Sequence, residues 1–203
     1  GVSYCSVCDA PLFRGRVVAL AGVGELGLHA ATVLSKFVRK CYWVFPGPDP
    51  GADPSAVEGL LSKGVVELVP RSRVVEIRGR DRVRSVVVRE ERAEQLRELE
   101  VDGVFIEMGY APKTEFLRGL VELNERGEVV VNKLCETSCP GIFAAGDVTD
   151  VPYKQAVISA GQGAVAALSA YNYVARLRGL RRVTRDWRHV ETAGASGEGL
   201  LRL

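Results

Sequence analysis

A run of four apolar residues, Val17-Val18-Ala19-Leu20, enters the turn Gly22-Val23-Gly24-Glu25-Leu26-Gly27, and a helical pattern follows from Glu25 to Val38. Strand, tight glycine turn and helix in that order open a βαβ unit, in which helices stack on a parallel sheet. Gly22, Gly24 and Gly27 let the backbone approach a pyrophosphate. The start of the helix adds free N–H groups and the positive end of its dipole. These three glycines are therefore the candidate dinucleotide-binding residues. A turn that only packs a helix on a sheet would use the same glycines, so the motif speaks to fold before it speaks to function. In a working site the second strand ends in an acid for a ribose hydroxyl, or in cations for a 2′-phosphate. Here it ends Phe45-Pro46-Gly47-Pro48, and the nearest acid, Asp49, lies in a loop with four Pro and two Gly between Pro46 and Pro54.

The rest of the chain continues the alternation. Leu26, Ala30, Val33 and Phe37 suggest the apolar face of the first helix, and Tyr42–Phe45 the second strand. Ser55 is a plausible cap for a helix running to Leu61. Val65–Val69, Val74–Ile77 and Val83–Val88 read as strands, the last two joined by the turn-prone Gly79-Arg80-Asp81 as an antiparallel hairpin. Leu99–Ile106 reads as one returning strand. Beyond Gly109-Tyr110-Ala111-Pro112 come short strands at Val129–Val131 and Ile142–Ala145. The longest uncharged stretch, Gln155–Ala175, holds Gly161, Gly163, Asn172 and few large aliphatic residues, and reads as a closely packed buried helix rather than a membrane span. The expected fold is α/β: a Rossmann-like domain with a parallel sheet and an antiparallel hairpin insert over residues 1–108, then a smaller segment at 109–175. A tail at 176–203 carries seven Arg against Asp186, Glu191 and Glu198.

Apolar residues are 47% of the 203 and charged residues 26%, enough for a real core. Net charge is +2, which gives no argument for nucleic acid or a membrane surface as partner. No basic stretch followed by an apolar run opens the chain, so a reducing, cytoplasmic location is the default. The chain starts at Gly1 and its only Met is Met108, which fits either removal of an initiator or a piece of something longer.

Two further segments carry chemistry. Cys5-Ser6-Val7-Cys8 followed by Asp9 can close a small disulfide. A thiolate there is a nucleophile for disulfide exchange, and the adjacent acid is placed to move the proton that exchange requires. A zinc site completed by Cys135 and Cys139, or two buried structural thiols, are the alternatives. The apolar run ending in Gly146-Asp147 exposes a carboxylate at the carboxyl end of a strand, where α/β folds bind ligands. His29 reads as a packing or surface residue, Trp187 as surface, Trp43 and Cys41 as core, and His189 as tail. No metal role is assigned.

Read in order, these segments resemble the thioredoxin reductase family of flavoproteins from Gly1 to about Val174. The resemblance rests on Gly-Val-Ser-Tyr-Cys5-x-x-Cys8-Asp9, on Phe13-Arg14-Gly15, and on the Gly22/Gly24/Gly27 turn. It continues in Val101–Ile106 with Gly109 and Pro112, in Thr137-Ser138 with Pro140–Val148, and in Tyr153-Lys154-Gln155-Ala156 with Ala160-Gly161. It implies that Cys5 attacks the disulfide of a small thioredoxin- or glutaredoxin-like protein, that Cys8 faces FAD, and that Asp9 is the acid/base. It implies that Gly146, Asp147 and Lys154 belong to the FAD site, and that Gln155 and Ala156 line the isoalloxazine ring. A homodimer is implied by resemblance alone.

Two departures shape the expectation. Where the family has His-Arg-Arg for the NADPH 2′-phosphate, this chain has Phe45-Pro46-Gly47, with no Arg before Arg71. That leaves NADH, another donor such as reduced ferredoxin, or no nucleotide. The family's first third, with its own glycine turn for FAD, has no counterpart here. The expectation is thus a disulfide oxidoreductase seen as a fragment or as one chain of a split protein, its closing segment keeping an open apolar face. A non-enzymatic homologue acting as a binding module is the alternative.

Overall fold

The computed structural model describes residues 1–92 and 95–180. Most of the basic tail, with Trp187 and His189, lies outside the described residues. The chain divides into two compact units, the first Gly1–Tyr110 and the second beginning at Ala111.

The first unit is built on a five-stranded parallel sheet in the order β1-β8-β2-β3-β4. Its strands are β1 (Val2–Ser3), β2 (Val17–Gly22), β3 (Lys40–Val44), β4 (Val66–Val69) and β8 (Gly103–Glu107). Val17 pairs with Lys40 and Val18 with Gly103, so β2 is central and apolar on both faces. Alternate residues serve two cores. Val18, Leu20, Cys41, Trp43, Phe45 and Phe105 face α2 (Gly24–Leu34) and α3 (Pro54–Leu61). Ala19, Val44 and Val104 face a three-stranded antiparallel sheet of β5 (Ser72–Arg78), β6 (Ser85–Glu90) and β7 (Leu96–Glu100). Trp43, Phe45 and Phe105 are fully buried, each contributing roughly 1.5–3 kcal/mol of apolar transfer free energy.

Several elements differ from the sequence reading. The segment Leu99–Ile106 is not one strand. β7 ends at Glu100, and β8 starts at Gly103 in the other sheet. The Asp102 side chain accepts the Val17 N–H between them, and the inserted hairpin becomes a three-stranded sheet. The α2 helix ends at Leu34, before Val38, and its buried face runs through Gly27, Ala30, Ala31 and Leu34 while Leu26 is exposed. The cause is Gly27, which draws that side of the helix onto the sheet. The α3 cap is Asp53, whose side chain accepts the Ala56 N–H at 2.8 Å, with Pro54 next; Ser55 is already inside the helix.

In the second unit, the stretches 129–131 and 142–145 form only isolated bridges, Val129 with Leu123 and Thr149, and Phe143 with Glu136. α4 (Ala156–Leu177) is a helix, but it is not closely packed: only Ser169 and Ala175 are buried. Val157, Leu168, Tyr171, Val174 and Leu177 are exposed. Among the described residues no helix is long and apolar enough to cross a membrane.

Candidate functional site

Cys5 and Cys8 are joined as a disulfide at the start of α1 (Ser6–Asp9). Cys5 occupies the cap position, its Sγ accepting the Cys8 N–H at 3.2 Å, so the helix turn itself brings the two sulfurs together. Cys5 is half-buried and Cys8 exposed. Asp9 follows directly. Its Oδ2 accepts the Ser3 hydroxyl at 2.7 Å, and the Ser3 oxygen also accepts the Cys5 N–H at 3.2 Å. Ser3 is buried on β1, so the strand that pairs with β8 orients both the acid and the first cysteine. The segment is held from below by a 3-10 turn, Ala10–Phe13, whose Phe13 ring meets Phe105 edge-on at 5.1 Å. Gly103 is required there, because any side chain would run into the Phe13 ring. On the other side Glu107 accepts the Ser6 N–H at 2.7 Å. Ser3 lies inside the Gly-Val-Ser-Tyr-Cys segment but carries no role legible from the sequence, and Glu107 belongs to no spaced pattern; both act through the sheet.

The glycine turn is formed as its sequence requires. Gly24 adopts φ +61°, and a Cβ on Gly27 would sit 2.9 Å from the Gly22 carbonyl carbon and 3.0 Å from the Trp43 ring. The Trp43 indole donates to the Gly22 carbonyl at 3.0 Å. A pyridine nucleotide, however, finds few partners. The Gly24 N–H donates to the Pro50 carbonyl at 2.7 Å, and Glu25, in the first turn of α2, accepts the Asp53 N–H at 2.9 Å. Asp49 is occupied in the same loop, accepting from the Gly51 N–H at 2.9 Å. Phe45, at the strand end where a ribose-binding acid is expected, is buried among core residues. The residues present do not fit NADH or NADPH.

The second unit holds Gly146 at φ +82° with Asp147 exposed beside it. The Gly146 N–H donates to the Gln162 side chain at 2.8 Å, and the Ser159 hydroxyl donates to Asp147 at 3.0 Å. Two residues of α4 thus fix the Gly-Asp turn against the helix start. Gln155 caps α4 with no side-chain hydrogen bond to it, and Gln155 and Ala156 are exposed at the start of a 22-residue helix, the end where the dipole favours negative charge. These residues suit an electron-poor ring with an anionic edge, and so fit FAD. Lys154 is engaged within the unit: its ammonium lies 2.9 Å from the buried Glu128 and 2.6 Å from the Thr149 carbonyl.

Two of the three free cysteines, Cys41 and Cys135, are buried, and Cys139 is half-buried. Cys41 is fully buried and its thiol is pushed up to about 12; burial also raises Cys135. Among the described residues no cluster of three or more His, Cys, Asp or Glu side chains is arranged to hold a metal, and Cys5 and Cys8 bond each other.

The family model for pyridine nucleotide-disulphide oxidoreductases matches residues 1–163. The chain belongs to this family. It is 41% identical to a subunit of alkyl hydroperoxide reductase from Pseudomonas aeruginosa over 177 residues, 87% of this chain and 34% of the relative. It is 40% identical to an NADH dehydrogenase of Bacillus subtilis over 176 residues, 87% of this chain and 35% of the relative. Among solved structures it resembles thioredoxin reductase from Streptococcus pyogenes at TM-score 0.77 and 30% identity, covering 87% of this chain and 58% of that one. Thioredoxin reductase from Giardia duodenalis gives TM-score 0.71 and 33% identity, with 86% and 58% covered. The chain therefore spans about a third of the curated relatives it matches. Within this family the chain is of the thioredoxin reductase type, and FAD is the cofactor that this type implies.

Proposed function

We propose that this chain carries the dithiol and part of the flavin site of a thioredoxin-reductase-like enzyme that reduces a disulfide on a thioredoxin- or glutaredoxin-like protein. The observation that carries the reading is the Cys5–Cys8 disulfide at the start of α1, with Asp9 held beside it by Ser3. FAD, when bound, supplies the electron pair that opens this disulfide. Gly146, Asp147, Gln155 and Ala156 are the residues of this chain that would hold it.

In the reduced dithiol, the Cys5 thiolate attacks one sulfur of the partner disulfide. A mixed disulfide forms and the partner's other sulfur leaves as a thiolate. Cys8 then attacks Cys5, which reforms the Cys5–Cys8 bond and releases the reduced partner. Two electrons pass to the partner, and Asp9 takes and returns protons at the leaving sulfurs. Such a pair cycles where thiols are kept reduced, as they are in the cytoplasm. The rest of the flavin site comes from the same polypeptide or from a second chain.

The test is single-turnover transfer. The chain is reduced chemically, freed of reductant and mixed with an oxidised thioredoxin; partner thiols are counted by maleimide gel shift. One partner disulfide reduced per chain is expected. Cys8→Ser should trap the mixed disulfide and Cys5→Ser should abolish transfer. No transfer from a folded, reduced chain would sink the reading. The exposed apolar face of α4 favours a second reading, a non-enzymatic module that binds a partner through that face; it expects tight association and no thiol transfer.

A further inference from the structure

We infer that the dinucleotide crevice of the first unit is closed by the protein's own loop, and that neither NADH nor NADPH binds there. The place at issue is the carboxyl end of β2 and β3, above the glycine turn. A pyrophosphate needs donors there, because its oxygens only accept. The structure supplies acceptors instead. The Pro50 carbonyl takes the Gly24 N–H at 2.7 Å, and the Gly51 carbonyl lies within 3.8 Å of where a Cβ on Gly24 would stand. The Glu25 carboxylate occupies the first turn of α2 and is fixed there by the Asp53 N–H at 2.9 Å. A second anion entering this turn would meet the Glu25 charge at the one point where the helix dipole favours a negative group.

The loop chemistry adds to this. Pro46, Pro48 and Pro50 have no N–H to offer. The Gly51 N–H is already donated to Asp49 at 2.9 Å. No Lys or Arg occurs between Lys40 and Lys63, whereas Asp49, Asp53 and Glu58 do. The loop's backbone bonds do bring Arg71 near, since its N–H donates to the Gly47 carbonyl at 2.8 Å. Its charge stands against Glu25, Asp49 and Asp53. Phe45 replaces the ribose-binding acid and is committed to the α2 face of the core. The pocket on the opposite face, about 380 Å³, is mostly apolar; of its polar lining residues, Arg73 is paired with Glu91 at 2.7 Å and the Ser72 hydroxyl donates to the Pro70 carbonyl at 2.9 Å. The fold thus keeps the glycine turn for packing, Gly27 against Gly22 and Trp43, after its ligand-binding amide has been turned to an internal use. This sets the chain apart from relatives named for NADH, and it stands whether or not the flavin reading holds.

The test is a titration of the full 15N-labelled chain with NADH and, separately, NADPH, read from amide resonances. A dispersed spectrum establishes that the protein tested is folded. The Gly22, Gly24 and Gly27 amides should not move up to about 1 mM of either nucleotide, a Kd that corresponds to only about 4 kcal/mol of binding. The Gly24 amide should exchange slowly with solvent. Saturable movement of these amides below that concentration would overturn the inference. Movement with NADPH alone would assign the recognition to Arg71 and overturn it equally. The readout does not involve Cys5 or Cys8, so its failure is distinct from failure of disulfide transfer.

Discussion

Glu107, the last residue of β8, accepts the Ser6 N–H at 2.7 Å and so ties the carboxyl end of the parallel sheet to the turn that carries the disulfide, across 101 positions of sequence. The carboxylate stands one peptide from Cys5. It uses an amide that would otherwise favour a thiolate, and it adds negative charge of its own. Glu107→Gln keeps an acceptor for Ser6 and removes the charge. Reduced Cys5 in this variant should be alkylated severalfold faster near neutral pH than in the parent, with mapping of the label by mass spectrometry. Glu107→Ala also loses the hydrogen bond and should lower stability by about 1 kcal/mol. Equal alkylation rates for parent and Gln variant at every pH would rule out the electrostatic role.

Asp9 is positioned by Ser3 at 2.7 Å, which predicts graded effects at the two positions. Asp9→Asn removes proton transfer and should slow exchange of the reduced chain with a small disulfide on the order of 10²-fold. Ser3→Ala leaves the acid in place but frees its orientation. A smaller loss with an altered pH profile is expected, measured by stopped-flow thiol release. If Ser3→Ala slows exchange as much as Asp9→Asn, Ser3 is doing more than holding the acid.

The glycine turn, the dithiol and the α/β class were legible because each depends on local chemistry: a positive φ at Gly24, two thiols one turn apart, apolar runs of strand length. The split at Glu100–Gly103 was not, because Leu99 and Val101 alternate with Glu100 and Asp102 as in a strand and lead directly into the apolar run Val104-Phe105-Ile106. Only the pairing of Leu99 with Val86 and of Gly103 with Val18 separates the two sheets. Glu107, and the positioning role of Ser3 within its motif, were missed for a related reason. Their role comes from lying at the edge formed when β1 pairs with β8, which no spacing records. The exposure of α4 ran against its small-residue composition. Gly161 and Gly163 meet nothing within 4 Å, so their smallness is not used within this unit.

The contact between Gly27 and Gly22 makes the turn a sensitive point of the core. A methyl at Gly27 would stand 3.0 Å from the Trp43 ring and closer still to the Gly22 backbone, so helix and strand must part. Gly27→Ala should cost roughly 1–3 kcal/mol in urea unfolding. It should also disturb the Trp43 indole bond to the Gly22 carbonyl, seen as a shift in that indole N–H resonance. Gly24→Ala acts differently, by forcing an alanine into φ +61°, at a cost of roughly 1–2 kcal/mol. A fully stable Gly27→Ala protein would contradict the close approach.

Cys41 links burial to a pH dependence whose sign follows from its position. It is completely buried on β3, and desolvation pushes its thiol up to about 12 from an unfolded value of 9.0. Above pH 9 the unfolded chain loses this proton while the folded chain keeps it, so the unfolded state binds fewer protons and stability falls as pH rises. The slope from this one group approaches about 1.4 kcal/mol per pH unit between its two values. Cys135, also raised by burial, acts in the same direction, whereas the disulfide-bonded Cys5 and Cys8 do not titrate. Cys41→Ala should lower stability at pH 7 through the cavity it leaves, yet lose less on going from pH 9 to pH 11 than the parent does. Urea midpoints at those pH values measure the difference. Parallel losses in the two proteins would show that the Cys41 thiol is not held protonated by the fold.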